Sequence, residues 1–157
     1  MSRNALVVAA VCLSTMFAGC GGSTADSMFA KAADTKAKRL GTLYMQFQVQ
    51  NMNHRLRGPS NQTEFEEFIR KQNAEGLARI GVDKDKIAEL FVSSRDNLPF
   101  KIRWEVQTFA RGPAQPVVFE QEGVDGNYVV GFTGFLEKEV DRSEYDRLWS
   151  GAADDGS

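Results

Sequence analysis

Phe100-Lys101-Ile102-Arg103-Trp104-Glu105-Val106-Gln107 is the stretch on which the fold turns. Phe100, Ile102, Trp104 and Val106 alternate with Lys101, Arg103, Glu105 and Gln107. A period of two is what a half-buried strand imposes, because successive side chains leave opposite faces of the pleat. The pattern continues downstream. Gly112-Pro113 and Pro116 mark a loop, Val117 to Glu122 reads as a second strand, and Gly123-Val124-Asp125-Gly126 is a tight turn into a third, from Tyr128 to Leu136. Three strands joined in this way form an antiparallel meander. Upstream the period is helical: Phe29, Ala32, Ala33, Leu40, Leu43, Tyr44 and Phe47 recur at three- and four-residue steps, with Lys31, Lys38, Arg39, Thr42 and Gln46 on the other side. One long amphipathic helix over 26–53 is expected, stopped by Gly58-Pro59.

Thr63 and Glu66 have the spacing of a capping box, and the helix they open would bury Phe65, Phe68, Ile69 and Leu77 before Gly81 ends it. Asp83 caps a short helix or turn reaching Leu90, and Asp141 with Glu144 caps a last helix that turns Tyr145, Leu148 and Trp149 inward. The expected architecture is therefore α+β. A long N-terminal amphipathic helix covers the apolar face of a three-stranded meander, with one or two shorter helices, in a single domain over 26–150. A polar tail at 151–157 has no apolar residue larger than alanine and is expected to be disordered.

Ahead of that domain, Arg3 precedes an uncharged apolar run from Ala5 to Leu13, too short to cross a bilayer, and then Phe17-Ala18-Gly19-Cys20. This order resembles the bacterial lipoprotein signal, whose lipobox sets a small pair, here Ala18-Gly19, before the cysteine that is acylated. Phe17 stands where that family usually has an aliphatic residue. The resemblance implies a signal peptide over 1–19, with cleavage after Gly19. It implies diacylglyceryl and palmitate-type chains on Cys20, a flexible tether over 20–25, and a lipid-anchored place in the cell envelope. Gly21 after the cysteine points to the outer membrane, facing the periplasm. Two or more acyl chains anchor stably rather than transiently. The full chain carries a net charge of −2, and loss of Arg3 makes the remainder more acidic, which argues against nucleic acid as a partner. With Cys12 in the signal and Cys20 acylated, neither cysteine remains for a disulfide, so the fold rests on packing.

A helix feeding a small antiparallel meander resembles the head of type II secretion major pseudopilins. Asn97-Leu98-Pro99-Phe100 stands where that family has Gly-x-Pro-aromatic, which suits a left-handed Asn97, and Gly123-Val124-Asp125-Gly126 matches its Gly-x-Asp-Gly turn. The resemblance spans roughly Leu40 to Leu136 and implies a pseudopilin-like fold. It departs at the N-terminus, where a lipobox and a helix bearing Lys31, Lys36, Lys38 and Arg39 replace the apolar filament helix. The order of lipobox, helix and Ser-Arg-Asp strand entry is also similar to that of small bacterial envelope lipoproteins that carry no assigned activity.

No catalytic constellation emerges. His54 is the single histidine, near the end of the first expected helix, so no zinc site can be assembled. Ser93 and Ser94 lie in a turn cluster without a nucleophile elbow, and Glu64, Glu66, Glu67, Glu137 and Glu139 read as solvated faces. The candidate ligand turns are Asp96-Asn97 and Asp125-Gly126. A bare hairpin is the simpler reading of the second, because a calcium ion takes six to eight oxygens. The expectation is a non-enzymatic envelope protein without cofactor or metal, held to the membrane through Cys20 and meeting a protein partner in the envelope. The alternative is a calcium- or small-ligand-binding accessory of a secretion or envelope assembly.

Overall fold

The computed structural model describes residues 35–51, 56–108 and 112–151. Among them the chain is α+β. The five α-helices are α1 (Lys36–Gln50), α2 (Gln62–Lys71), α3 (Ala74–Arg79), α4 (Ile87–Leu90) and α5 (Arg142–Ser150). The strands are β1 (Lys101–Ile102), β2 (Pro116–Phe119), β3 (Tyr128–Phe132) and β4 (Glu137–Val140). The strands form one antiparallel sheet in the order β1-β2-β3-β4. No helix among the described residues is long and apolar enough to cross a membrane.

The meander thus has four strands rather than the expected three. The run from Tyr128 to Leu136 is not one strand: Gly134 takes φ +92°, the chain doubles back, and Phe132 N–H bonds to the Leu136 carbonyl at 2.9 Å. β4 pairs with β3 from Val140 opposite Tyr128 to Glu137 opposite Gly131. Its sequence, Glu137-Lys138-Glu139-Val140, lacks apolar alternation because it is the sheet's edge, where charge suppresses pairing with other chains. The deciding stretch also pairs over a shorter length than its alternation suggests. After β1 the chain bends at Trp104-Glu105, with Glu105 at φ +59° and its N–H on the Pro59 carbonyl at 2.9 Å. Ile102 is buried all the same, and Phe100, Trp104 and Val106 pack against the core.

The described first helix has 15 residues, so the long helix over 26–53 is not matched. Thr35 is its N-cap, in extended conformation at φ −82° and ψ 140°, and its hydroxyl accepts from Lys38 N–H. A helix cannot run unbroken through such a residue. Positions 26–34, 52 and 53 of the expected helix lie outside the described residues, as do the signal at 1–19, the tether at 20–25 and the tail from 152 on. The second expected helix is two helices. α2 starts at Asn61, which caps Glu64 N–H at 3.0 Å while the Glu64 carboxylate reaches back to the Ser60 N–H and hydroxyl. The capping box therefore sits two residues before Thr63 and Glu66. Extended Gln72 and Asn73 then separate α2 from α3, and Asn73 caps the latter. Asp83 and Asp141 cap as expected, the one a 3₁₀ turn (Lys84–Lys86), the other α5.

Both faces of the sheet are covered. α1 buries Leu40, Leu43, Tyr44 and Phe47 with Phe65, Ile69, Ile87 and Val129, while α5 buries Tyr145 and Leu148 with Phe119, Tyr128, Val130 and Phe132. β3 is consequently buried at every residue. Trp149 is 42% exposed rather than turned inward, although its ring meets Phe119 edge-on at 5.0 Å. Helix α1 lies unusually close on β3. A Cβ at Gly41 would fall on the Phe132 carbonyl, and one at Gly131 on the Ala37 carbonyl. Tyr44 adds a polar tie: its hydroxyl donates to the Arg103 carbonyl at 2.8 Å and accepts from Val106 N–H at 3.0 Å. Burial pushes that phenol well above its usual range, so it stays neutral and able to donate.

Candidate functional site

The loop that carries Ser93, Arg95 and Asp96 joins α4 to β1. It is closed by Phe100 N–H on the Phe91 carbonyl at 2.8 Å and Ser93 N–H on the Leu98 carbonyl at 2.9 Å. Its reversal uses Asn97 at φ +59°, the left-handed conformation that its place in the sequence suggested. Asp96 then fastens this loop to the next. One carboxylate oxygen accepts from Leu98 N–H at 3.0 Å, and the other from Glu122 N–H at 3.1 Å and Gly123 N–H at 3.3 Å. Burial tends to raise the Asp96 carboxyl, but these three donors outweigh it and hold the group below the usual carboxylate range.

The turn so fastened is the β2–β3 hairpin. Val124 and Asn127 exchange both backbone bonds at 2.9 Å, and the residues between them, Asp125 and Gly126, have φ of +52° and +80°. Two left-handed residues in a two-residue loop match the twist of the flanking strands. The structure therefore brings the two candidate ligand turns together through Asp96. Asp125 itself is exposed at the tip. Any ion placed at Asp96 would face the same N–H groups, and among the described residues no group of three His, Cys, Asp or Glu is placed to hold a metal. Cys20, Ala18, Gly19 and His54 lie outside the described residues.

The residue that sequence reasoning missed is Glu120, which is 1% exposed. Ser93 Oγ donates to its Oε1 at 2.8 Å and Val129 N–H to its Oε2 at 2.8 Å, while its main-chain carbonyl accepts from the Tyr145 hydroxyl at 2.7 Å. Arg95 stands 3.6 Å from the carboxylate and reaches Glu139 on β4 at 2.7 Å. One residue thus ties the loop, the sheet and α5. A signal for it was in the sequence. Glu120 directly follows the apolar run Val117-Val118-Phe119, and a strand apolar on both faces carries a carboxylate inward whichever face it takes, where it needs partners.

Beside this carboxylate opens a cleft of about 100 Å³, lined by Thr35, Lys36, Ser93, Ser94, Arg95 and Glu120 among others. That is well below the roughly 300–1,000 Å³ of a small-molecule site. Lys36 Nζ is engaged by the Val92 carbonyl at 2.9 Å. Ser93 is a poor nucleophile here: it is 2% exposed, its hydroxyl donates to the buried Glu120 carboxylate, and its oxygen also accepts from Arg95 N–H at 3.1 Å. At the rim, the Thr35 hydroxyl donates to Glu137. Burial raises the Glu137 carboxyl, with Glu120 adding to the effect and Lys38 and Arg95 opposing it.

That shift has a sign. A carboxyl raised in the folded state contributes stability that is present in acid and is lost as pH rises through its folded pKa. Glu137→Gln is therefore expected to raise the melting temperature at neutral pH, and the gain should shrink in mild acid. Thermal melts across that range check it, and a gain that grew on acidification would refute the assignment.

No known protein family, curated protein or solved structure matches the chain.

Proposed function

We propose that this is a lipid-anchored protein of the bacterial cell envelope, attached through Cys20, whose α+β head is a non-catalytic structural or interaction module. The observation that carries the reading of the head is how its polar groups are used. Glu120, Ser93, Arg95 and Asp96, the groups that chemistry would need, are all engaged with one another or with backbone N–H groups. A site built for turnover keeps a nucleophile, acid or base turned toward an open space large enough for substrate. The anchoring part rests on Arg3, the run Ala5 to Leu13 and Phe17-Ala18-Gly19-Cys20. The pseudopilin-like likeness belongs to this proposal, supported by left-handed Asn97 and the Asp125-Gly126 hairpin.

The test is the intact mass of the protein extracted from membranes. The expected mass is that of residues 20–157 plus a diacylglyceryl group, with or without a third acyl chain. The mass of the unmodified full chain would overturn the anchor. An outer-membrane place, facing the periplasm, predicts co-fractionation of the acylated form with outer-membrane vesicles.

A further inference from the structure

Among the described residues five large apolar side chains are exposed; Val124 and Trp149 stand apart, but the other three gather at one corner. Phe135 is 66% exposed and Leu136 42%, and both sit at the tight turn between β3 and β4. This turn rests against the second turn of α1: Gly134 N–H bonds to the Gly41 carbonyl at 3.3 Å, and the Thr42 hydroxyl donates to the Gly134 carbonyl at 3.1 Å. Met45 lies next to Gly134, and Val49, one turn further along the same face, is 52% exposed. The result is an apolar ridge along the hairpin turn and the adjoining face of α1.

The chain outside the described residues joins the domain at this corner. Thr35, the residue at which the segment from Cys20 arrives, is bonded to Glu137, two residues after Phe135. At ~3.5 Å per extended residue, the chain from Cys20 to Thr35 spans no more than ~50 Å. A head held on so short a lead, and entered beside this exposed apolar tip, meets the bilayer with that tip at high effective concentration. The charge beside the tip is partly balanced: Glu139 is paired with Arg95, and Lys138, next to Glu137, lies over the Phe132 ring.

We infer that the Phe135-Leu136 turn inserts into the lipid surface that holds Cys20, fixing the orientation of the head on the membrane. This rests on the anchoring proposed above. Aromatic and aliphatic side chains at a loop tip gain by leaving water for the acyl boundary without unfolding anything.

The experiment uses the full chain purified from membranes, with its mass measured. It is reconstituted in phosphatidylethanolamine–phosphatidylglycerol vesicles containing a lipid with a photoactivatable diazirine in its acyl chain. After irradiation, lipid adducts are expected on the peptide spanning Phe135 and Leu136. The double variant Phe135→Ser, Leu136→Ser should lose them while its melting temperature in detergent stays unchanged, since both side chains are exposed. An acylated chain with adducts at its N-terminus but none at the turn would overturn the insertion and leave the anchor standing. A turn without adducts yet more shielded from hydrogen exchange in the vesicles than in detergent would place a second copy of the chain there instead, and overturns it too. An unmodified full-chain mass would overturn anchor and insertion together.

Discussion

Glu120→Ala is expected to lower the unfolding free energy by about 3 kcal/mol or more, through orphaned partners rather than lost apolar packing. Removing the carboxylate leaves Val129 N–H and the Ser93 hydroxyl buried without their acceptor, and it frees Arg95 from the inner half of its bridge between Glu120 and Glu139. Each orphaned buried polar group costs about 1–3 kcal/mol. Glu120→Gln keeps an acceptor for Val129 N–H and nearly the same volume, so its cost should be smaller, about 1–2 kcal/mol by the same reckoning. Denaturant titration monitored by tryptophan fluorescence, with Trp104 and Trp149 as reporters, separates the two. Equal losses for Ala and Gln would mean that charge pairing with Arg95 is the main term and that the hydrogen bonds matter little. The Tyr145 hydroxyl bonds to the Glu120 main chain, so both variants should retain the attachment of α5.

Gly41→Ala is expected to destabilise the protein by about 1–3 kcal/mol, although overpacking must first overcome a gain of about 1 kcal/mol in helix propensity. The sign makes the test informative. An exposed helical glycine replaced by alanine stabilises, whereas here the new methyl would land on the Phe132 carbonyl, which belongs to a strand buried on both faces. Gly131→Ala approaches the same interface from the sheet side, against the Ala37 carbonyl, and has no helix gain to offset it. It should be the more damaging of the two. In the double variant the losses should sum to less than their total, because a helix already displaced by one methyl makes room for the other. Melting temperatures of the three variants check this, and a stabilised Gly41→Ala would show that α1 does not lie so close to β3.

Much of this fold was legible residue by residue. The buried stripe of α1, the alternation from Phe100 to Val106, the Asp125-Gly126 hairpin, and the caps at Asp83 and Asp141 all follow from period or turn chemistry that a few neighbouring residues decide. What escaped was where several valid signals compete. Thr35 looks like one more polar position on a helical stripe until its extended backbone and its bonds to Lys38 N–H and Glu137 make it a cap. Leu136 continues an apolar run by composition, yet Gly134 lets the chain reverse before it is reached. The edge strand carries no apolar signal because its outer side faces no other strand.

By itself the sequence determined the class of fold, the caps at Asp83 and Asp141, the Asp125-Gly126 turn, and the expectation of a lipid-bearing Cys20, since each depends on residues close together in the chain. The tertiary structure alone decided the corner where Thr35, Ser93, Glu120 and Glu137 meet, and the apolar tip beside it. Those residues lie as far as 102 positions apart, and a carboxylate can be buried only where distant donors arrive to meet it. No local pattern records whether they do, because their arrival depends on how the loop, the first helix and the sheet pack on one another.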